Sequence, residues 1–66
     1  SKLYTYSRED GKEKILVVCS FSEREERWNA PGGFDLSAGE LILGNYEKPV
    51  NEIMKPYETR VYRWQK

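Results

Sequence analysis

The chain has 66 residues with 11 basic and 11 acidic side chains, no histidine and a single cysteine. A chain of this length forms at most one domain and buries only about 60% of the surface exposed by the unfolded chain, so its core is small. One cysteine excludes an internal disulfide and the absence of histidine argues against structural zinc, so we expect stabilisation by docking on a larger body.

Two runs of strand-forming residues open the chain. Residues 3–7 are rich in tyrosine and threonine, and residues 15–21 are apolar on both alternating faces. Asp10 and Gly11 stand between these runs, and an Asp-Gly pair in that position is a strong β-hairpin signal. The sequence therefore predicts a hairpin whose second strand is central in a sheet and covered on both sides.

The middle of the chain alternates charged loops with short strands. Residues 22–27 are charged and lack an apolar stripe, so they predict a solvated loop rather than a helix. A short strand is predicted over residues 27–30. Residues 31–33 (Pro-Gly-Gly) predict a turn and not a phosphate-binding loop, because neither a helix nor a Lys-Ser/Thr pair follows. Residues 34–36 are expected to extend the preceding strand or to re-enter a sheet.

The remaining chain predicts further strands and thereby the fold class. Residues 40–46 form one strand, and residues 52–55 form a short one that ends before Pro56, because proline cannot donate to a ladder. The total is about six or seven short strands with turns every 8–12 residues, which is typical of a sandwich or barrel. We expect an all-β fold, a small antiparallel, Greek-key-like β-sandwich that occupies residues 1–66 as one domain.

Aromatic residues make up 14% of the chain. Each aromatic side chain buries roughly 150–250 Å² in a core, and we expect most of them there. The last predicted strand, residues 58–65, alternates so that Tyr62 and Trp64 share one face with Arg60. Because Tyr and Trp are enriched at protein interfaces, we predict that Tyr57, Tyr62 and Trp64 contact a larger body.

No catalytic site is predicted in this chain. The absence of histidine removes the commonest general base and excludes Ser-His and Cys-His nucleophile pairs. Cys19 lies in the most apolar run, where a thiolate is disfavoured, so we expect it to pack in the core. Several carboxylates fall in predicted loops, but so small a domain has little room for a cleft of about 300–1,000 Å³. We expect no catalytic residue, cofactor or metal here.

Composition also bears on partners and location. The chain lacks the basic excess that nucleic-acid binding needs, and no apolar run approaches the length of a membrane span, so we expect neither partner. The free cysteine and the lack of a targeting segment favour a reducing, cytoplasmic location. The chain begins with Ser1 rather than Met, which we interpret as the start of a fragment of a longer protein.

Three functions stay open on these grounds. The first is a structural domain that packs on a larger body. The second is a carbohydrate-binding module in which Trp28 and Trp64 lie at the surface and stack on sugar rings. The third is a free-standing protein-interaction domain of SH3-like type, which would need several exposed aromatic rings side by side.

Four segments of the chain resemble a known family. Residues 41–46 (Leu-Ile-Leu-Gly-Asn-Tyr) and 56–62 (Pro-Tyr-Glu-Thr-Arg-Val-Tyr) are similar to the closing strands of α-amylase-family (glycoside hydrolase family 13) α-glucosidases. Thr59 replaces the alanine that is usual there. Residues 4–11 resemble the family's hairpin entry, and residues 15–22 resemble its valine-valine-asparagine-phenylalanine-serine strand, with serine in place of the asparagine.

The resemblance implies a role as well as a fold. The family includes oligo-1,6-glucosidases, dextran glucosidases, trehalose-6-phosphate hydrolases and sucrose isomerases. Its members carry an aspartate nucleophile and a glutamate acid/base on a TIM barrel and act by a retaining mechanism. The resemblance places this chain as the C-terminal β-sandwich, which packs on the catalytic barrel of the same parent chain. It also implies that the parent, and not this domain, binds the oligosaccharide substrate.

Overall fold

The structure is a computed structural model that describes residues 2–65. This part of the chain contains six β-strands and one 3₁₀ turn, joined by loops. The interpretation of Ser1 concerns a residue outside this range. The strands are β1 (Leu3–Glu9), β2 (Glu13–Ser20), β3 (Glu26–Arg27), β4 (Glu40–Gly44), β5 (Ile53–Met54) and β6 (Thr59–Gln65), and the 3₁₀ turn spans Leu36–Ala38. The predicted all-β fold with antiparallel pairing is confirmed.

The hairpin predicted at Asp10-Gly11 joins β1 to β2. The carboxylate of Asp10 accepts hydrogen bonds from the backbone amides of Lys12 at 2.8 Å and Glu13 at 3.0 Å. The amide of Asp10 also donates to the carbonyl of Glu13 at 2.9 Å. The Asx-type contacts add to this backbone pairing and set the register, in which Glu9 lies opposite Lys14. The local sequence signal therefore fixes both the position and the register of the hairpin.

Four of the strands form an antiparallel sheet in the order β1-β2-β6-β4. β6 lies between β2 and β4, so the last strand of the chain occupies the interior of the sheet. A register shift between Leu41 and Leu43 marks a β-bulge in β4. β3 and β5 form a separate two-stranded ribbon.

The core lies between the four-stranded sheet and a thinner second layer. That layer consists of the β3–β5 ribbon and residues 28–39. The buried apolar side chains are Leu16, Val18, Trp28, Met54, Tyr62 and Trp64, with Leu3, Ala30, Phe34 and Leu36 packed against them. The molecule measures 37 × 23 × 15 Å. Because stacked layers lie about 10 Å apart, a thickness of 15 Å accommodates two layers and no third.

Three local predictions differ from the structure. β2 is central, but only its inner face is fully covered, and Cys19 lies half-buried on the outer face rather than in the core. The strand predicted over residues 27–30 is instead Glu26–Arg27. Residues 34–36 form no strand, because the carboxylate of Asp35 accepts hydrogen bonds from the amide and hydroxyl of Ser37 and caps the 3₁₀ turn.

Candidate functional site

Several carboxylates in the described residues make structural contacts. Asp10 and Asp35 bind backbone amides in their turns, Glu26 accepts from Ser22, and Glu40 pairs with Arg63. Within residues 2–65, no group of three or more His, Cys, Asp or Glu side chains is arranged to hold a metal ion. No helix in the same range has the length and apolar character needed to cross a membrane.

The interior contains a buried ion pair between Glu58 and Arg60. Arg60 Nε lies 2.8 Å from Glu58 Oε2, and both residues are fully buried. Arg60 Nη1 donates to the hydroxyl of Tyr62 at 3.0 Å, and Nη2 donates to Glu58 Oε1 at 3.2 Å. Nη2 also donates to the backbone carbonyls of Val50 and Ile53. This guanidinium therefore links β6 to the second layer.

Two opposing effects act on the pKa of Arg60. Burial lowers this pKa, because a charged guanidinium loses its hydration. Hydrogen bonds to Glu58 and Tyr62, together with their electrostatic interaction, outweigh the effect of burial and raise the pKa above its ordinary value. The side chain is therefore held charged inside the core by its partners.

The turn before β6 is held by the Asn-Tyr pair at the end of β4. Asn45 Nδ2 donates to the carbonyl of Tyr57 at 3.0 Å, and Asn45 Oδ1 accepts from the amide of Thr59 at 2.8 Å. The hydroxyl of Tyr46 donates to the carbonyl of Pro56 at 2.7 Å. The two segments whose residues resemble the closing strands of the α-glucosidases, 41–46 and 56–62, are thus brought into direct contact.

Tyr57 occupies the tip of this turn. Its φ is 54°, in the left-handed region that non-glycine residues seldom adopt. Its amide donates to the carbonyl of Ser22 at 3.2 Å, and its side chain is 56% exposed. Of the three residues predicted to contact a larger body, Tyr57 has an accessible ring, and its role in such a contact stays a prediction.

Tyr62 and Trp64 share a face with Arg60, as the alternation predicts, but that face points into the core. The two rings are 3% and 7% exposed, with centroids 5.9 Å apart. The indole N–H of Trp64 donates to the carbonyl of Asp35 at 2.7 Å, and Phe34 packs against the same ring in a T-shaped arrangement at 5.2 Å. Both side chains therefore join β6 to the second layer.

Trp28, the other residue considered for sugar contact, is also in the core. It is 7% exposed and lies among the buried apolar side chains. Its indole N–H is buried and has no acceptor among the described residues. Neither Trp28 nor Trp64 presents a ring face to solvent, which a sugar would need for stacking.

The outer face of the four-stranded sheet carries a continuous apolar surface. The pairing places Tyr6 opposite Val17, Val17 opposite Val61, and Val61 opposite Leu43, so one row crosses all four strands. Tyr4 and Cys19 form part of the next row. We call this surface the outer face, and its apolar members are Tyr4, Tyr6, Ile15, Val17, Cys19, Leu43 and Val61.

Exposure on the outer face rises toward the two edge strands. Tyr4 and Tyr6 on β1 are 60% and 57% exposed, and Leu43 on β4 is 66% exposed. Val17 and Val61 on the inner strands are half-buried. These residues were not among the predicted contacts, although the alternation of Tyr4 and Tyr6 with polar neighbours, and the apolar residues on both faces of β2, are signals for a second buried face.

Known proteins similar to the chain are bacterial oligo-1,6-glucosidases; no protein-family model matches it. The protein of Heyndrickxia coagulans is 35% identical over 65 residues, which are 97% of this chain and 11% of that protein. Those of Parageobacillus thermoglucosidasius and Halalkalibacterium halodurans are 32% and 33% identical over 66 residues, covering 92% of this chain and 12% of each protein. The chain therefore spans about an eighth or less of the length of these relatives.

Proposed function

The chain is related over nearly its whole length to one short segment of the oligo-1,6-glucosidases, and from this premise we propose that it is a non-catalytic structural domain of an α-glucosidase. In this proposal it is the C-terminal domain and stabilises the catalytic barrel by packing on it. The oligosaccharide is bound and hydrolysed by other parts of the parent chain, with retention through a covalent glucosyl intermediate.

The observation that carries the proposal is the sheet with one covered and one open face. The inner face of β2 is fully buried at Leu16 and Val18, while the outer face exposes apolar side chains at its edges. A sheet that is apolar on both faces requires cover on both, and helices or a second sheet normally supply it. Contact with the parent would enlarge a core that is small for a domain of this size.

The contacts of the buried carboxylate of Glu58 support a structural rather than a catalytic role for that residue. A retaining glycosidase needs two carboxyl groups about 5–5.5 Å apart across a substrate site. Glu58, the fully buried carboxylate, binds Arg60 and the amide of Lys55. We also propose a cytoplasmic location for the parent, supported by the unpaired thiol of Cys19.

Deletion of this domain from the full-length parent tests the proposal. We expect the truncated protein to unfold at a lower temperature and to lose activity faster on heating, because a large apolar contact is removed. The kcat of molecules that stay folded should change little. Supplying the domain as a separate chain should restore part of the lost stability. Unchanged thermal stability after deletion would contradict the proposed role.

A further inference from the structure

Residues 30–39 lie against the inner face of the sheet near the β1–β2 hairpin, and we call this segment the strap. In the part of the chain that the structure describes, no strap residue pairs with a strand. The backbone hydrogen bonds described for the strap are internal, such as those from Phe34 to Pro31 at 3.1 Å and from Ala38 to Asp35 at 3.0 Å. Side-chain contacts therefore hold the middle of the strap on the sheet.

Two side chains of the sheet make these contacts. Lys14 on β2 and Trp64 on β6 lie opposite each other in the ladder. The indole N–H of Trp64 donates to the carbonyl of Asp35 at 2.7 Å, and its ring packs against Phe34. Lys14 Nζ donates to the carbonyl of Gly33. One pair of neighbouring sheet positions thus contacts three consecutive residues of the strap.

The ammonium group of Lys14 also lies over two aromatic rings. Its nitrogen is 4.7 Å from the ring centroid of Phe34 and 5.9 Å from that of Trp64. A cation within about 6 Å of a ring centroid is attracted by the electron-rich ring face. Two partners of this ammonium, the Phe34 ring and the Gly33 carbonyl, belong to the strap. The ammonium therefore loses both of them if the strap leaves the sheet.

We propose that the strap opens as a unit while the sheet stays paired, and that the charge of Lys14 determines how often it opens. Segments that have few buried contacts and lie outside a ladder open at lower free energy than the core strands. Phe34 and Leu36, the apolar side chains that the strap packs on the core, are only half-buried. All these contacts lie within the domain, so the inference does not depend on the proposed packing on a barrel.

Hydrogen–deuterium exchange of the full-length parent, followed by mass spectrometry of peptides, tests the proposal. Lys14→Met keeps a long side chain and removes the charge, so we expect peptides within the strap to exchange at least about fivefold faster. Peptides from β2 and β6 should stay within about twofold of the unmodified protein, because their ladder is intact.

Lys12→Met is the matched control. Lys12 is an exposed residue of the hairpin turn, two positions from Lys14, and its replacement should leave exchange of the strap unchanged. Equal acceleration in the strap and in β2 and β6 would show that the whole domain unfolds together. No acceleration in Lys14→Met would show that the charge does not hold the strap. Either result overturns the proposal.

Fluorination of Phe34 isolates the attraction between the charge and the ring. Fluorine atoms withdraw electron density from the ring face, so trifluorophenylalanine in place of Phe34 weakens its contact with Lys14 at nearly constant shape. We expect strap exchange to accelerate about twofold or more when Lys14 is present, and not in Lys14→Met. Fluorination without effect when Lys14 is present, or with the same effect in both backgrounds, would overturn the role of the charge.

Discussion

At the scale of single residues, the guanidinium of Arg60 links the sheet to the second layer. It donates hydrogen bonds to Glu58 and Tyr62, which are each two residues away in the chain. It also donates to the carbonyls of Val50 and Ile53 on the other side of the core. These contacts explain the Pro-Tyr-Glu-Thr-Arg-Val-Tyr segment in structural terms. Its arginine and second tyrosine are inward residues of β6, its glutamate lies one residue before that strand, and the three side chains form one hydrogen-bonded group.

Replacing Arg60 by an apolar residue should be strongly destabilising. Arg60→Met leaves the carboxylate of Glu58 buried without its cation, and breaking a buried pair in this way typically costs about 3–5 kcal/mol. Arg63→Met is the matched control, because its pair with Glu40 is partly exposed and such pairs contribute about 1 kcal/mol or less. Urea unfolding followed by tryptophan fluorescence measures both. Equal losses in the free energy of unfolding for the two variants would show that the buried pair stabilises the fold no more than the exposed pair does.

Acid should weaken the turn at Asp35. Hydrogen bonds from the hydroxyl and the amide of Ser37 lower the pKa of the Asp35 carboxyl below its ordinary value, and the small effect of burial opposes them. A lowered folded-state pKa means that the stabilisation is complete above the unfolded-state pKa of about 3.9 and is lost as the pH falls through the lowered value. NMR titration of the Asp35 carboxyl should show this low midpoint, and Ser37→Ala should move it upward. A midpoint unaffected by Ser37→Ala would contradict the assignment.

The alternation along β6 places Arg60, Tyr62 and Trp64 on one face but does not show that this face is internal. An arginine in an alternating strand ordinarily marks the solvent side, since isolated buried charges are costly. The compensating partners include two carbonyls from around β5, and nothing local in the sequence connects those residues to β6. The direction of the face was therefore not predictable from the alternation alone.

At the scale of elements, the 3₁₀ turn and β6 are in close contact at Gly39. A methyl group on Gly39 would lie 2.6 Å from Cε2 and 2.7 Å from Cζ2 of Trp64. The hydrogen bond from the indole to Asp35 and the packing of Phe34 hold this ring in place. The turn can therefore approach the strand only because Gly39 lacks a side chain.

Gly39→Ala should separate these two elements. The added methyl group must displace the turn or the ring, and overpacking of this kind typically costs about 1–3 kcal/mol. Gly32→Ala is the control, because no atom beyond its immediate chain neighbours lies within 4 Å of the position that its methyl group would take. Its effect should stay within about 0.5 kcal/mol. Near-UV circular dichroism reports the packing of the tryptophans, and urea unfolding reports stability. Similar results for both variants would mean that the contact at Gly39 relaxes without cost.

The elements that sequence patterns predicted best are the local ones. The β1–β2 hairpin has its strands, its Asp-Gly tip and its register within residues 3–20, so neighbouring residues carry the whole signal. The pairing of β6 with β2 joins residues at least 40 positions apart, the smallest separation being that of Cys19 and Thr59. No pattern in either strand specifies that partner. The sheet order, unlike the hairpin, had to come from the structure.

At the scale of the whole molecule, the fold class follows from the sequence, but the exposure of the outer face does not. Short strands separated by turns predict an all-β fold, and six strands are present in residues 2–65. The apolar residues on both faces of β2 indicate two covered faces, but they do not say whether this chain supplies both covers. The molecule supplies one, and a thickness of 15 Å leaves the other to a partner in the proposed arrangement.

The interior position of β6 has a consequence for biosynthesis. Translation produces β1, β2 and β4 before β6, yet in the sheet β2 and β4 meet only through β6. Until residues 59–65 leave the ribosome, the nascent chain can form the hairpin but cannot close its sheet. Pairing across so many intervening residues is slow. Maturation of this fold is therefore timed by β6, and a chain that ends before Thr59 can form the β1–β2 hairpin but leaves β4 without a partner in the sheet.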